Sequence, residues 1–230
     1  MAITRFDPNL QIVADFDKEL IGALDSVAGQ TGDMFAHYRL YSVKHIQRAV
    51  RGFVVLREAG CIDSSKFLVR PVIEMLFKLQ AVEREPDLLY RIAFSEHLQD
   101  RRLARPAAQG SNQLYDEAQM EANWKSFSAK YKTGYPKHQF VEEELKIYAA
   151  AEKANLAKYY DTYYRLYSHY VHGTLRATSG AFDDLTDPED DRVMALCAWV
   201  ALETLIAIGA KSPNHDDLVK RLPQNQNSMP

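Results

Sequence analysis

The chain has few of the features that mark secreted, membrane and zinc-binding proteins. Only two of its 230 residues are cysteines, Cys61 and Cys197, and their separation matches neither a zinc-binding nor a redox motif. We therefore expect both to be buried, reduced thiols. No apolar run approaches the roughly 18–20 residues of a membrane span, and the first residues carry acids without an apolar signal segment. These absences predict a soluble, cytoplasmic protein that does not enter a membrane.

An excess of charge of one sign is also lacking. The 28 Lys and Arg residues nearly balance the 31 Asp and Glu residues, which gives a formal net charge of −3. A protein that coats long nucleic acids is typically basic, so this balance argues against that class and leaves room for a local anion site. Apolar residues make up 47% and charged residues 26% of the chain, which is typical of a globular protein rather than a disordered one.

Signals for β-structure and for repeats are absent as well. No Asn-Gly or Asp-Gly turn joins two alternating segments. Apolar residues instead recur at spacings of three and four along nearly the whole chain, which is the pattern of amphipathic helices. The sequence predicts one all-α domain over residues 1–212, a bundle of seven or eight helices, followed by a flexible tail at 213–230. Residues 106–140 are expected to form a mobile, polar insertion.

Local signals place several helix boundaries. Asp33 is suited to cap a helix that ends near Gly60, and Asp187 followed by Pro188 is a typical helix start. Pro71 falls within a helix that opens near Ser64, so that helix either kinks or begins later. A short helix is expected over 141–151. The apolar helix at 188–210 is expected at the centre, packed by the helices at 35–60, 66–84 and 156–176.

A basic face is predicted on the helix at 35–60. Its cationic residues are Arg39, Lys44, Arg48, Arg51 and Arg57. We interpret this face as a solvated helix surface.

The tyrosine-rich segment at 156–176 carries the most chemistry. Successive residues of an α-helix turn by about 100°, which places Arg165, His169, His172 and Arg176 on one narrow stripe with Ser168 beside them. Unpaired burial of such groups is costly, so we expect them to face solvent, an acidic partner or a cleft.

Three interpretations of this stripe remain open. It could be structural and pair with acids such as Glu74 or those at 183–191. His169 and His172 could hold a metal ion, although no HExxH-type pattern accompanies them. The stripe could also bind phosphate, because a guanidinium holds phosphate bidentately while an imidazole moves a proton. We expect neither a metal nor another cofactor.

A second polar element lies in an otherwise apolar predicted helix, where Arg70 and Glu74 are one turn apart. Buried charges of this kind are normally paired. The pair either locks its helix to a neighbour, or it presents Glu74 to orient His169 or His172, as a carboxylate does behind a functional imidazole.

These segments resemble a bacterial all-helical family of unknown function. The resemblance covers about residues 35–205 and rests on three features: Arg70-x-x-x-Glu74, Trp124, and the run Tyr164-Arg165-Leu166-Tyr167-Ser168-His169-Tyr170-Val171-His172. More distantly, Arg165 and His172 are similar to the Arg-x4–6-His motif of the HEPN superfamily, although Leu166 replaces the polar residue that usually follows the arginine. Members of that superfamily are helical, usually dimeric, and in many cases metal-independent ribonucleases of toxin–antitoxin, CRISPR and anti-phage systems.

The superfamily resemblance implies a HEPN-like core and a metal-independent endoribonuclease in a bacterial defence or toxin–antitoxin setting. Arg165 and His172 would be its catalytic residues, RNA or a nucleotide its ligand, and a homodimer its assembly. The supporting or phosphate-binding residues would be Ser168, His169, Arg176, Arg70, Glu74 and Tyr164. The alternative is a non-catalytic helical module that recognises a nucleotide, a nucleic acid or a protein through the same stripe, so enzymatic activity is left open at this point.

Overall fold

A computed structural model describes residues 8–28, 33–109, 116–171, 188–210 and 220, and these residues contain no β-strand. The predicted all-α fold is confirmed. The helical elements are α1 (Pro8–Ala28), α2 (Met34–Glu58), α3 (Ile62–Lys66), α4 (Val69–Arg84), α5 (Leu88–Gln109), α6 (Glu117–Gly134), α7 (Ile147–Lys153), α8 (Ala157–Tyr159), a π-helical segment (Tyr160–Tyr164), α9 (Arg165–Val171) and α10 (Pro188–Ala207). The predicted tail at 213–230 lies outside the described residues apart from Lys220, as do residues 110–115 of the predicted insertion.

Helices α4 and α10 organise the core. Helix α10 packs against α1 and α4 and also contacts α2, while α4 contacts α2, α5, α7, α9 and the π segment. Buried residues lie on nearly every side of α10, as expected for an apolar helix at the centre of a bundle. The predicted central position of this helix is therefore confirmed, and α1 lies beside it in addition to the predicted neighbours. The Tyr159 ring stacks on the Trp199 ring of α10, with 4.1 Å between the centroids.

The two ends of α2 follow the local signals in the sequence. The Asp33 carboxylate accepts a hydrogen bond of 2.7 Å from the backbone N–H of Ala36, which is the predicted N-cap. At the other end Gly60 has a φ of 76°, a left-handed conformation that favours glycine. The N–H of Cys61 then donates to the carbonyl of Leu56 at 2.8 Å and closes the helix.

The start of α4 decides between the two alternatives that Pro71 raised. Helix α3 ends at Lys66 and α4 begins at Val69, so Pro71 lies in the first turn, where the missing N–H has no intrahelical partner to lose. The later start is therefore correct. This boundary places Arg70 and Glu74 in the first turns of α4.

Residues 141–146 are not helical, so the predicted helix at 141–151 begins only at Ile147. Their side chains bind α5 instead: Glu142 accepts from Tyr90 at 3.0 Å, Glu143 from Arg91 at 3.2 Å and Glu144 from Arg102 at 3.0 Å. Helix α5 itself extends to Gln109, into the range 106–140 that was predicted to be a polar insertion. The local sequence does not reveal the non-helical conformation of residues 141–146, because partners about 50 positions away hold them.

The two cysteines differ in exposure. Cys197 is buried in α10 as expected, and burial raises the pKa of its thiol to about 12. Cys61 is exposed, contrary to the prediction, because it lies at the surface turn that precedes α3. In the described ranges, no helix combines the length and the apolar character that crossing a membrane requires.

Candidate functional site

A π-helical segment leads into the predicted site. Residues Tyr160–Tyr164 form this segment, and a regular α-helix resumes at Arg165. Each residue advances less around the axis in a π-turn than in an α-helix, so the segment rotates everything that precedes it relative to α9. Within α9 the usual turn of about 100° per residue holds. The backbone positions of Arg165, Ser168 and His169 therefore share a side, as predicted.

Arg165 projects into solvent. Its side chain is 69% exposed, and its ion-pair partner within the described ranges is Asp161, at 3.6 Å and itself 55% exposed. Exposed ion pairs with this spacing contribute little stability because water competes for both charges. The guanidinium is therefore available to bind an anion without disrupting the fold.

The hydroxyl of Ser168 is engaged within its own helix. It donates a hydrogen bond of 2.7 Å to the backbone carbonyl of Tyr164, one turn earlier. A serine in this arrangement has used its proton, and its oxygen can still accept. Ser168 is therefore placed beside Arg165 but is not poised to donate to a phosphate oxygen in this conformation.

Arg70, Glu74, Lys78 and Tyr164 form one connected group, named here the α4 polar cluster. The Arg70 guanidinium donates to the Tyr164 hydroxyl at 3.1 Å and lies over its ring, 5.2 Å from the centroid. The Tyr164 hydroxyl donates to Glu74 at 3.4 Å, and Lys78 pairs with Glu74 at 3.0 Å. Burial raises the pKa of Tyr164, and the hydrogen bond from Arg70 partly offsets this effect. The cluster therefore joins α4 to the π segment immediately before Arg165.

This geometry identifies the partner of the Arg70–Glu74 pair. Sequence reasoning considered a lock between helices or a carboxylate that orients His169 or His172. In the described residues Glu74 binds Tyr164 and Lys78, which are contacts of the kind that a lock requires, while the side chains of His169 and His172 lie outside those residues. Tyr164 was expected only as a supporting residue, and it is the residue that links the two elements.

A further carboxylate lies near the cluster, on α5. Burial raises the pKa of Glu96, and the negative charges of Asp100 and Glu74 add to the increase, whereas the positive charge of Lys78 opposes it. The Glu96 side chain still reaches solvent, which limits the effect. The positive charge of Lys78 therefore acts on both Glu74 and Glu96, and it only partly offsets the increase at Glu96.

Three of the predicted site residues cannot be located in full. His172 and Arg176 lie outside the described residues, and the backbone of His169 belongs to α9 while its side chain is not described. Within the described residues, no group of three His, Cys, Asp or Glu side chains is arranged to hold a metal ion.

An aromatic cluster around Trp124 was not predicted from the spacing of residues. The Trp124 ring on α6 stacks on His97 of α5, with 5.0 Å between centroids and an interplanar angle of 13°. It also contacts the rings of Tyr90, Phe94 and Phe127. The spacing of Trp124, Phe127 and Tyr131 along α6 is a helical stripe that marks this side of α6 as a packing face, although it does not identify the partner helix. The cluster fixes α6 against α5.

The fold and the site define a class of protein: an all-α bundle in which a π-helical segment, held by an Arg–Tyr–Glu–Lys cluster, presents an exposed arginine. The chain belongs to a family of unknown function, DUF5677, which matches residues 38–191, about two-thirds of its length. Membership of an all-helical family of unknown function is thereby confirmed. The matched range includes the α4 polar cluster, Trp124, Arg165 and His172. Comparison with curated proteins and with solved structures gave no match.

Proposed function

We propose that the protein is a metal-independent endoribonuclease with a HEPN-like arrangement, in which Arg165 and His172 act on one phosphate of RNA. The observation that carries the proposal is the exposed guanidinium of Arg165, which within the described residues has a weak ion pair with Asp161. Seven positions correspond to nearly two turns of an α-helix, so the spacing of Arg165 and His172 suits one shared face. An exposed guanidinium on the same face as an imidazole is a sufficient set of groups for phosphate chemistry.

The reaction uses the ribose 2′-hydroxyl as its nucleophile. This oxygen bonds to the adjacent phosphorus as the bond from phosphorus to the 5′-oxygen breaks, which leaves a 2′,3′-cyclic phosphate and a 5′-hydroxyl. His172 takes the proton of the 2′-hydroxyl or gives a proton to the leaving oxygen. Arg165 binds the non-bridging oxygens and neutralises the charge that develops there. No step requires a metal ion.

A homodimer supplies the groups that one chain lacks. One imidazole cannot serve as base and as acid in the same step, whereas two copies of His172 across a two-fold axis can divide these roles. His169 and Arg176 would bind neighbouring phosphates. The α4 polar cluster, through Arg70, Glu74 and Tyr164, would act as a positioning element for Arg165. The cytoplasm is the compartment we propose, in a defence or toxin–antitoxin setting.

The test is cleavage of end-labelled, unstructured RNA in the presence of EDTA. General acid–base catalysis contributes roughly 10²–10⁴-fold, so His172→Ala should lose at least that much activity. Arg165→Lys should also lose activity, because an ammonium group cannot replace the bidentate fork. Arg84→Lys, which alters an exposed arginine at the other end of α4, is the matched control and should cleave normally. Cleavage that survives both site substitutions, or that EDTA abolishes, would contradict the mechanism.

A non-catalytic binding module is the second candidate, and the state of Ser168 favours it. The Ser168 hydroxyl donates to a backbone carbonyl, and Arg70 and Glu74 are bound to Tyr164, so Arg165, with its mostly exposed guanidinium, is the main anchor that this group offers to a ligand. In that case the protein would bind RNA or a nucleotide, Arg165→Ala would abolish binding, and no RNA would be cleaved under any condition.

A further inference from the structure

The outer side of α2 carries a continuous row of exposed side chains, named here the α2 stripe. Its members are His37, Tyr41, Lys44, Arg48, Arg51 and Val55. At about 100° per residue all six fall within about 40° of one line along the helix. Buried residues such as Val43, Ile46 and Val50 occupy the opposite side and pack into the core. The stripe therefore faces away from the bundle.

The positive charge of the stripe is not balanced locally. Two of the five predicted cations of α2 turn towards the bundle, because Arg39 binds Glu83 and Arg57 binds Ser65. Lys44 and Arg48 are exposed and have no acidic partner within the described ranges. From residue 34 to residue 57 the sequence contains no Asp or Glu. A row of cations without acids is unusual for a simple solvated face on a protein with a net charge of −3.

Arg51 joins this positive row although it also has an internal partner. One of its terminal nitrogens bonds Asp17 at 2.9 Å, while 59% of the side chain remains exposed. A guanidinium has five N–H donors, so the exposed part can still bind an anion. Lys44, Arg48 and Arg51 thus form three adjacent cationic positions over about two turns.

An exposed aromatic ring accompanies these cations. The Tyr41 side chain is 55% exposed and lies about one turn before Lys44. Its ring is 6.2 Å from the ring of His45, measured between centroids. Alternation of exposed rings with cations is typical of surfaces that bind single-stranded nucleic acid, since bases stack on the rings while phosphates meet the charges.

We propose that the α2 stripe is a binding surface for single-stranded nucleic acid. Phosphates contact Lys44, Arg48 and Arg51, and a base stacks on Tyr41. The residues from 37 to 55 span about 27 Å of helix, a length that accommodates several nucleotides. The surface is distinct from Arg165 and His172, so it goes beyond the proposed endoribonuclease site and does not depend on it.

An anionic membrane fits the same charges less well. A helix that lies on a membrane inserts a broad apolar face between the lipids. The broad apolar face of α2 is already buried against α1 and α4, and Val55 is the single aliphatic residue on the stripe. The combination of cations with an exposed ring therefore favours nucleic acid over lipid.

The test measures the binding of a fluorescent single-stranded oligothymidylate of about 16 nucleotides by anisotropy. Because this DNA lacks the 2′-hydroxyl, the proposed ribonuclease reaction cannot consume it. Each phosphate contact to a single strand contributes about −0.7 to the slope of log K against log salt, so three contacts predict a slope near −2. Lys44→Ala with Arg48→Ala should weaken binding at least tenfold and reduce the slope to about −0.7.

Two controls separate the stripe from general effects of charge and folding. Lys125→Ala with Lys130→Ala removes the same charge from exposed positions of α6 and should leave both affinity and slope unchanged. Tyr41→Ala should weaken binding about tenfold without changing the salt slope, whereas Tyr41→Phe keeps a ring for stacking and should bind normally. Circular dichroism of each variant should match that of the parent, because every altered side chain is exposed.

Several results would overturn the proposal. Absence of oligonucleotide binding at low salt would do so, as would a Lys44/Arg48 variant that behaves like the α6 control. Binding to phosphatidylserine vesicles that needs Lys44 and Arg48, without oligonucleotide binding, would assign the stripe to a membrane instead. Loss of RNA cleavage in His172→Ala is measured separately, so failure of the ribonuclease proposal leaves this test unaffected.

Discussion

Removal of the Tyr164 hydroxyl tests whether the α4 polar cluster holds the π segment. Tyr164→Phe deletes the acceptor of the 3.1 Å hydrogen bond from Arg70 and the donor of the 3.4 Å contact with Glu74. A hydrogen bond to a charged group contributes about 1.5–3 kcal/mol, and the longer contact adds little. Arg70 and Glu74 are only partly buried, and the stacking of Arg70 on the ring survives the substitution. We therefore expect a loss of about 1 kcal/mol, below that range.

The assay is urea unfolding of the parent and three variants. Tyr160→Phe is the matched control, because the Tyr160 hydroxyl has no hydrogen-bond partner within the described ranges while its ring stacks on Tyr164 at 4.9 Å. Tyr164→Phe should lower the midpoint without changing the m-value, and the control should not. Combined with Arg70→Lys, it should show a coupling of about 0.5–1 kcal/mol. Equal midpoints for the two tyrosine variants, or strictly additive effects with Arg70→Lys, would refute the assignment.

Three further predictions follow from buried or crowded groups. Asp17 is 2% exposed and accepts hydrogen bonds of 2.9 Å from Gln47 and from Arg51. Asp17→Ala should therefore lower the free energy of unfolding, measured in urea, by about 2 kcal/mol. An unchanged free energy of unfolding would contradict this prediction. The raised pKa of Glu96 means that folding disfavours its ionised form, a cost that is absent at acid pH and develops as pH rises. Glu96→Gln should therefore raise the melting temperature at neutral pH. This gain should disappear at acid pH, where the Glu96 carboxyl is protonated in both the folded and the unfolded protein. A lower melting temperature of the variant at neutral pH would contradict the prediction. Iodoacetamide should alkylate Cys61 alone in the native protein and both cysteines in denaturant, because Cys197 is buried and the pKa of its thiol is raised to about 12. Mass spectrometry measures the labelling. Alkylation of Cys197 in the native protein would contradict its burial.

The parts of the fold that follow from the sequence are those with local causes. A capping carboxylate such as Asp33 or a left-handed glycine such as Gly60 acts within a few residues, so α2 could be bounded correctly. The buried character of α10 was equally visible, since its apolar residues surround the helix. These features need no knowledge of the partner element.

The parts that could not be predicted depend on distant partners. Residues 141–146 look helical in isolation, yet Glu142 and Glu144 bind α5 and hold the segment in a non-helical conformation. The stacking of Trp124 on His97 likewise joins two helices whose pairing the periodicity does not reveal. Tertiary contacts override local propensity at residues 141–146, and they set the pairing of α5 with α6.

The direction of Arg165 has the same kind of cause. A uniform turn of about 100° per residue relates Arg165 correctly to Ser168 but not to the residues before it, because the π segment inserts roughly one extra residue into the turn. Two ring contacts hold the helix at the two ends of the π segment. Tyr159 is stacked on Trp199 of α10, and Tyr164 is bound by Arg70 of α4. The π segment lies between these two contacts, so the packing against α10 and α4 accompanies the change of register after which Arg165 is exposed.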